Sequence, residues 1–520
     1  MKVLWKNIAL SLSTALLLAF AFPPYRVGFL AYWGLLPLFY LLKDKTPKDA
    51  LKWGYFTGLF FNLLSLYWIA WTTIPGAVGA ILVLALYFAL YAWVHVQLQR
   101  KLGRSFVFLL PFLWVSIEYI KSLGVCGFPW SSLAYTQSFY LSLIQYVSFT
   151  GVYGVSFWVV WINIILFYIL ENRRNLRTVI LFSLLLILLF LLPWIYGKLT
   201  IPPADEFLEK IRVALVQGNI DPLRKWDEAF LAENFNIYTR LTRKIADLKP
   251  DLIIWPETAT ACFLRCEPKY AIRIRHLVDS LKTPLLTGSP DYKFVTHTNY
   301  ETYNAIFVLL PFQSRIQRYF KIHLVPFGER VPFEDDFPFF SRFLESLNMG
   351  AGDFSPGKEI VLFHMPYPQH ATQSVSTYST NTSDKELLFS GVVCFESIFP
   401  GLVRKFVHKG ARFLVIVTND AWFGTTSELA HHAQIAVFRA IENRIGIARC
   451  ANTGISMFID SYGRVLRKTR INAEESVVGV LPLRTEKTFY TQHGDVFTYA
   501  IFLVTIAGFI KAYAKSNHKT

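Results

Sequence analysis

Seven apolar stretches crowd the first 200 residues, and an eighth lies near the end of the chain at about 497–514. They run at about 4–22, 27–42, 52–71, 77–98, 105–121, 150–170 and 178–196. A helix needs roughly 20 apolar residues to cross the hydrocarbon core of a bilayer. No water is present there to satisfy backbone N–H and C=O groups, so such stretches are expected as helices. The second stretch is short, and the fifth contains Pro111 and Glu118. A carboxylate at that depth is expected to face protein or a cavity instead of lipid. Hydrophobic residues make up 53% of the chain and charged residues only 17%, where a soluble domain carries about 25% charge. Disorder, collagen and coiled coil are thereby excluded for most of the chain, and a multi-pass membrane protein is the expectation.

The net charge of +16 raises the question of nucleic acid, and the distribution of charge answers it. Lys and Arg outnumber Asp and Glu by 15 to 4 over residues 1–200 and by 3 to 0 over 497–520, and nearly balance them in between. The surplus sits in alternate loops: Lys2 and Lys6; Lys43, Lys45, Lys48 and Lys52; Arg100, Lys101 and Arg104; Arg173, Arg174 and Arg177; Lys511, Lys515 and Lys519. Positive charge stays on the cytoplasmic side. Both termini are therefore expected in the cytoplasm, and the long segment after the seventh stretch outside it. No nucleic acid partner is expected. The first 22 residues also resemble a signal peptide, but Pro23 and Pro24 argue against cleavage and for a retained helix.

Residues 205–490 have the composition of a globular domain and alternate β-like with α-like text. Apolar, β-branched runs occur at 211–217, 251–255, 284–287, 305–310, 388–393, 413–418 and 455–459. Helical periodicity covers about 227–248 and 428–447. This alternation predicts an α/β layered fold with sheets buried on both faces. Residues 366–384 are polar, rich in Ser and Thr and aperiodic, and read as a surface loop. No glycine-rich phosphate loop is present.

Three residues stand where apolar runs end. Cys394 follows a strand-like run and precedes a helical segment, a position that favours thiolate. Glu257 follows a second run in Trp255-Pro256-Glu257-Thr258, where Pro256 cannot extend the ladder. Lys321 is a lone charge among Tyr319, Phe320, Ile322 and Leu324, and needs an acidic partner if its pKa is not to fall. Taken singly, each has a plain alternative: a buried structural cysteine, a surface charge, a structural ion pair. Taken together they offer a base, a cation and a thiol nucleophile. Cys262 and Cys266 are close enough in sequence to pair or to stay as free thiols. His431 and His432 point different ways on a helix, so structural packing is the expectation for them, and no metal site or cofactor is expected.

In this order, Glu257, Lys321 and Cys394 resemble the triad of the carbon–nitrogen hydrolase (nitrilase) superfamily. With spans before and after the domain, the chain resembles that superfamily's membrane-bound apolipoprotein N-acyltransferase family. The resemblance covers essentially the whole chain. It implies a membrane domain at 1–200, a nitrilase-like α-β-β-α sandwich at 205–490 outside the cytoplasm, and a C-terminal span at 497–514. It implies that Cys394 is the nucleophile, Glu257 the general base and Lys321 the stabiliser of the oxyanion, with the backbone N–H of Phe395 as a second donor. Glu329 matches an additional functional glutamate, Glu396 the acid two positions beyond the nucleophile, and Trp226 a substrate-site tryptophan. Phe395 stands where some members carry Tyr, so no role for a phenol hydroxyl carries over. The implied acyl donor is a membrane glycerophospholipid, and the acceptor is the amine of a diacylglyceryl cysteine at an apolipoprotein's N-terminus. The implied site is the bacterial inner membrane, with the catalytic domain in the periplasm. Phe333, Phe337, Phe339 and Phe340 are read as a membrane-contacting arm or a packed loop, and Trp130 as an interfacial residue. The competing readings are a membrane-tethered amidase and a non-enzymatic transport or lipid-binding protein. Transporters place polar groups mid-span, whereas the candidate chemistry here clusters in the soluble segment.

The charge asymmetry generates a direct test. Topology reporters fused after about residues 48, 102 and 175 are expected to read cytoplasmic, and one near 300 to read extracytoplasmic. A cytoplasmic signal at 300 contradicts the assignment.

Overall fold

The computed structural model describes residues 1–203, 209–297, 299–333, 353–368, 386–484 and 486–517. Phe337, Phe339 and Phe340 lie outside the described residues, as does most of the polar stretch 366–384. The chain divides into two compact units, Met1–Ile201 with His493–Thr520, and Pro202–Gln492.

Among the described residues, five helices of the first unit are long and apolar enough to cross a membrane: Lys2–Ala21, Ile74–Leu102, Tyr153–Glu171, Leu176–Thr200 and Val496–Ala514. The other three expected stretches fold as shorter or more polar helices, and proline accounts for two of them. Pro37 lacks an N–H and opens a new helix, Leu36–Leu42, so the stretch 27–42 is broken into short pieces. Pro111 likewise starts a helix of 12 residues, Leu110–Lys121, behind a 3₁₀ segment. The third stretch is a helix, Pro47–Leu66, but its opening turns carry Lys48, Asp49 and Lys52. Thr46 caps that helix, its hydroxyl accepting from Asp49 N at 3.1 Å.

Packing within this unit uses small residues, as expected where apolar burial gives helices little reason to associate. Gly54 and Gly58, four residues apart, lie against the helix Ile74–Leu102. A Cβ on Gly58 would stand 2.7 Å from Phe88 Cβ, and one on Gly54 would stand 2.5 Å from Ala92 Cβ. Glu118 faces protein. It is buried, and its Oε1 accepts from Trp114 Nε1 at 2.9 Å and Leu133 N at 2.8 Å. Trp130, read as interfacial, is buried against Trp68.

Among the described residues, the second unit holds twelve strands in two six-stranded sheets. One sheet contains β1 (Lys210–Gln217), β2 (Leu252–Ile254), β3 (Leu285–Phe294), β4 (Tyr300–Leu309), β5 (Ile316–Phe320) and β12 (Glu475–Pro482), in the order β12-β1-β2-β3-β4-β5. The other contains β6 (Phe363–Pro366), β7 (Glu386–Val393), β8 (Phe413–Thr418), β9 (Gly446–Ala451), β10 (Met457–Ile459) and β11 (Val465–Lys468), in the order β11-β10-β9-β8-β7-β6. At the centre of each sheet three strands run parallel, β1-β2-β3 and β7-β8-β9, and antiparallel strands flank them. The parallel strands are the near-continuous apolar runs of the sequence, as burial on both faces requires.

The sheets pack face to face. A Cβ on Gly391 of β7 would press to 2.8 Å from Ile306 of β4, and Cys450 of β9 points its thiol at the carbonyls of Val216 and Ile254. On the outer face of the first sheet, the helices Glu228–Lys244 and Pro268–Leu281 bury Phe235, Tyr238, Ile274 and Leu277 against Trp255 and Phe307. The helices Pro400–Lys409 and Glu428–Asn443 cover the second sheet. The unit is a four-layer α-β-β-α sandwich, the fold class expected for the soluble segment.

Gly58→Leu is expected to lower the thermal midpoint of the detergent-solubilised protein, since overpacking a tight contact costs about 1–3 kcal/mol. Gly79→Leu is the control, because a Cβ there meets nothing within 4 Å. Equal midpoints for the two variants would contradict the close-packing account.

Candidate active site

Glu257, Lys321 and Cys394 all sit where a strand has just ended. Glu257 lies three residues past β2, Lys321 directly follows β5, and Cys394 directly follows β7. The strands place their last backbone atoms rigidly, and the side chains that follow inherit that precision.

The turn carrying Glu257 is set by contact with β3. Thr258 has φ of +49°, a left-handed conformation that costs a non-glycine residue energy. A Cβ on Gly288 of β3 would stand 2.5 Å from Thr258 N and 2.6 Å from Glu257 Cα, so this close approach requires glycine. Lys225 supports the same turn, its buried Nζ donating to the backbone carbonyl of Glu257 at 2.9 Å. Burial pushes the Lys225 ammonium down to about 7 despite the opposing pull of Glu257.

Lys321 is 1% exposed and stands between two carboxylates, 2.8 Å from Glu329 Oε2 and 3.7 Å from Glu257 Oε1. Asn304 joins the pair, its amide donating at 2.8 Å both to Glu257 Oε1 and to Glu329 Oε1. Burial alone would lower the Lys321 pKa, but Glu329 and then Glu257 outweigh it and hold the ammonium charged. For Glu257, burial comes first and raises the pKa. Glu329 raises it further, and Lys321, Asn304 and Lys225 oppose the rise without cancelling it. The result is a carboxylate with more affinity for a proton than an ordinary glutamate.

Cys394 also has a left-handed backbone, with φ of +49°, so the chain turns sharply out of β7. Burial holds its thiol protonated well above the usual range. Glu257 and Asp420 add to that, while Lys321 and the Thr418 hydroxyl oppose it. This corrects the expectation that a helix start favours thiolate. The helix after Cys394 is a short 3₁₀ piece, Cys394–Ile398, and desolvation with two carboxylates outweighs it. A base must therefore remove the thiol proton.

Glu396 is fully buried and ties these elements together. Its Oε1 accepts from Tyr319 Oη at 2.6 Å, Ile322 N at 2.7 Å and His323 N at 3.1 Å, and its Oε2 accepts from Val393 N at 2.8 Å. One carboxylate thus links the segment after Lys321 to the end of β7. Phe395 is buried beside Phe399 and His323. Trp226 is 45% exposed and follows Lys225. Among the described residues, none of the hydrogen bonds or ion pairs named around the three residues reaches it.

Sequence reasoning missed Asn304, Lys225 and Asp420. Asp420 follows β8 in the way the others follow their strands, and that pattern was available to find it. His432 is more than packing. Its ring lies 3.0 Å from Asp420 Oδ1 and 2.9 Å from Ser397 Oγ. The ligating atoms of Cys394, Asp420 and His432 lie within 4.8 Å of one another. Arg449 pairs with Asp420 at 2.8 Å, so a guanidinium already occupies the electrostatic position of a cation. Cys262 and Cys266 are free thiols, and Cys266 is 2.8 Å from the Tyr292 hydroxyl.

Comparison with known proteins gives two family matches. A model described as the apolipoprotein N-acyltransferase N-terminal domain matches residues 14–165, and one described as carbon-nitrogen hydrolase matches residues 212–487. Three similar curated proteins are each named apolipoprotein N-acyltransferase. The protein from Geobacter metallireducens is 38% identical, over 95% of this chain and 93% of its own length. That from Chlorobaculum tepidum is 31% identical, over 95% and 94%. That from Rickettsia prowazekii is 28% identical, over 89% and 90%.

The carboxylate cluster generates a pH prediction. If Glu257 accepts the Cys394 proton, alkylation of Cys394 slows as pH falls through the Glu257 pKa. Asn304 lowers that pKa by hydrogen bonding, so Asn304→Leu is expected to move the acidic fall to higher pH. A hydrogen bond to a charged group contributes about 1.5–3 kcal/mol, which corresponds to a shift of about one to two pH units. An unmoved or lowered acid limb contradicts this linkage.

Proposed function

The chain belongs to the apolipoprotein N-acyltransferase family, and on that premise we propose that it acylates the N-terminal amine of diacylglyceryl-cysteine apolipoproteins, drawing the acyl chain from a membrane glycerophospholipid through a thioester on Cys394. The observation that carries this reading is the buried set Glu257, Lys321, Glu329 and Asn304 beside a protonated thiol. A base poised above the ordinary glutamate range and a fixed cation are what attack on an ester requires.

In the first half-reaction Glu257 takes the Cys394 proton and Sγ bonds to the ester carbonyl carbon. The oxyanion that forms is met by Lys321 Nζ and the N–H of Phe395. Its collapse breaks the C–O bond, and Glu257 returns its proton to the departing lysophospholipid oxygen. In the second half the acceptor amine bonds to the thioester carbon, Glu257 takes a proton from nitrogen, and the C–S bond breaks to release the amide. Glu329 holds Lys321 between the two carboxylates, and Glu396 keeps the cation and nucleophile segments in register. Trp226, half exposed next to Lys225, is assigned to substrate contact.

Loop charge supports a periplasmic catalytic unit with both termini in the cytoplasm. That placement puts the thiol on the side where exported lipoproteins lie. The membrane unit supports a bilayer-borne donor, and with it acyl transfer over a tethered amidase that would use water as acceptor.

Two half-reactions at one thiol predict ping-pong kinetics. Varied phospholipid and lipopeptide are expected to give parallel double-reciprocal lines, whereas intersecting lines would indicate direct transfer in a ternary complex. Cys394→Ala is expected to abolish transfer and Cys450→Ala to preserve it. Lys321→Ala is expected to cost at least the 10²–10³-fold, to order of magnitude, of a lost oxyanion donor.

A further inference from the structure

Beside Cys394 lies a second buried polar group with no step assigned to it in the scheme above; its Asp420 and His432 come within 4.8 Å of the thiol. It comprises Asp420, His432, Arg449 and Ser397, all 1% exposed or less. Thr418 donates to Asp420 Oδ1 at 2.7 Å, and Arg449 Nη2 donates to Asp420 Oδ2 at 2.8 Å. His432 Nδ1 lies 3.0 Å from Asp420 Oδ1 and 3.0 Å from Arg449 Nη2, with Glu428 Oε1 at 3.6 Å. One edge of the imidazole is therefore held by fixed charges.

The other edge faces the nucleophile's own peptide. Ser397 Oγ donates to the carbonyl oxygen of Cys394 at 2.8 Å, which leaves that hydroxyl oxygen to accept from His432 Nε2 at 2.9 Å. Nε2 also lies 3.2 Å from the Cys394 carbonyl oxygen itself. Two acceptors at this nitrogen place a proton on it. The Cys394 carbonyl thus receives two donors, one of them on a ring whose Nδ1 accepts from Arg449, itself paired with Asp420.

A trans peptide is planar, and its C=O and N–H point in opposite directions. Whatever fixes the carbonyl of Cys394 fixes the N–H of Phe395 as well. Donors on the carbonyl also polarise the amide and strengthen its N–H as a donor. The turn needs such restraint, because Cys394 sits at φ of +49°, where a side-chain-bearing residue is strained. We propose that His432, held by Arg449, is a positioning residue for the oxyanion: by gripping the Cys394 carbonyl it aims the Phe395 N–H at the carbonyl oxygen under attack. This rests on the reading of Cys394 as the acylated nucleophile.

The test separates oxyanion support from thiol reactivity. Acyl loading of Cys394 by phospholipid passes through an oxyanion. Alkylation by iodoacetamide displaces iodide and passes through none. His432→Ala is expected to slow loading by about 10²–10³-fold, the usual loss for one such donor, while alkylation stays within about threefold of wild type. His432→Gln keeps an N–H near the place of Nε2 and is expected to recover at least about tenfold of that loss. Should the alanine variant fail to fold, His432→Met fills the space without a donor and carries the same comparison. Wild-type loading by the donorless variant overturns the inference. So does alkylation that falls in step with loading, or a Gln variant as slow as the donorless one. Failure of the wild-type protein to load Cys394 at all would refute the thioester reading itself, an outcome distinct from any of these.

Discussion

The site depends on one ammonium that has no water to lean on. Lys321 is 1% exposed and shares its charge between Glu329 and Glu257. Taking three charges out of water is costly, and a buried ion pair is poor evidence for stability. Its value here is chemical. A single cation between two carboxylates cannot fully stabilise both ionised forms, so one is left with a raised affinity for protons. The closer carboxylate is Glu329, at 2.8 Å, and the more distant is Glu257, at 3.7 Å. The weaker pairing falls on the residue assigned as base. Asn304, donating to both, keeps the two negative groups apart in a fixed geometry, and Lys225 anchors the Glu257 backbone from beneath.

The sandwich explains why this geometry can persist. Glu257, Lys321 and Cys394 each follow a strand, and the two sheets meet through side chains such as Ile306. Rigid strand ends allow strained turns at Thr258 and Cys394, because the surroundings over-determine them. Glu396 then joins the two sheets electrostatically: its four hydrogen bonds run from Tyr319, Ile322 and His323 beside Lys321 to Val393 beside Cys394. It acts through position and not by touching a reacting atom. A thiol held protonated by burial and by Glu257 and Asp420 stays unreactive until the base takes its proton.

Much of this was legible in the sequence where chemistry and position coincide. Glu257, Lys321 and Cys394 interrupt apolar runs, and a polar residue at the end of a buried strand is conspicuous. Glu329 and Glu396 were legible only through the family resemblance, at the positions that match its additional acids. Asn304 was not, because it stands just before the apolar run 305–310 and looks like a strand boundary, although it is buried and donates to two carboxylates. His432 was hidden by helical text that suits packing equally well; only the tertiary fold brings it from 38 residues away to the Cys394 carbonyl. The central strands were legible because parallel strands are apolar throughout, whereas β11 is exposed along its whole length and carries no such signal. Where apolar stretches break into separate helices was not legible, because hydropathy registers apolar content and not the helix starts at Pro37 and Pro111.

The central claim is that one thiol carries the acyl chain between two substrates. The most direct measurement is the intact mass of the purified protein after exposure to phospholipid alone, with the modified peptide then sequenced. The account predicts a gain of one acyl chain on the peptide containing Cys394, removed by hydroxylamine and absent from Cys394→Ala. A protein that transfers acyl chains to lipopeptide yet shows no adduct with phospholipid alone, or carries the adduct on another residue, would contradict it.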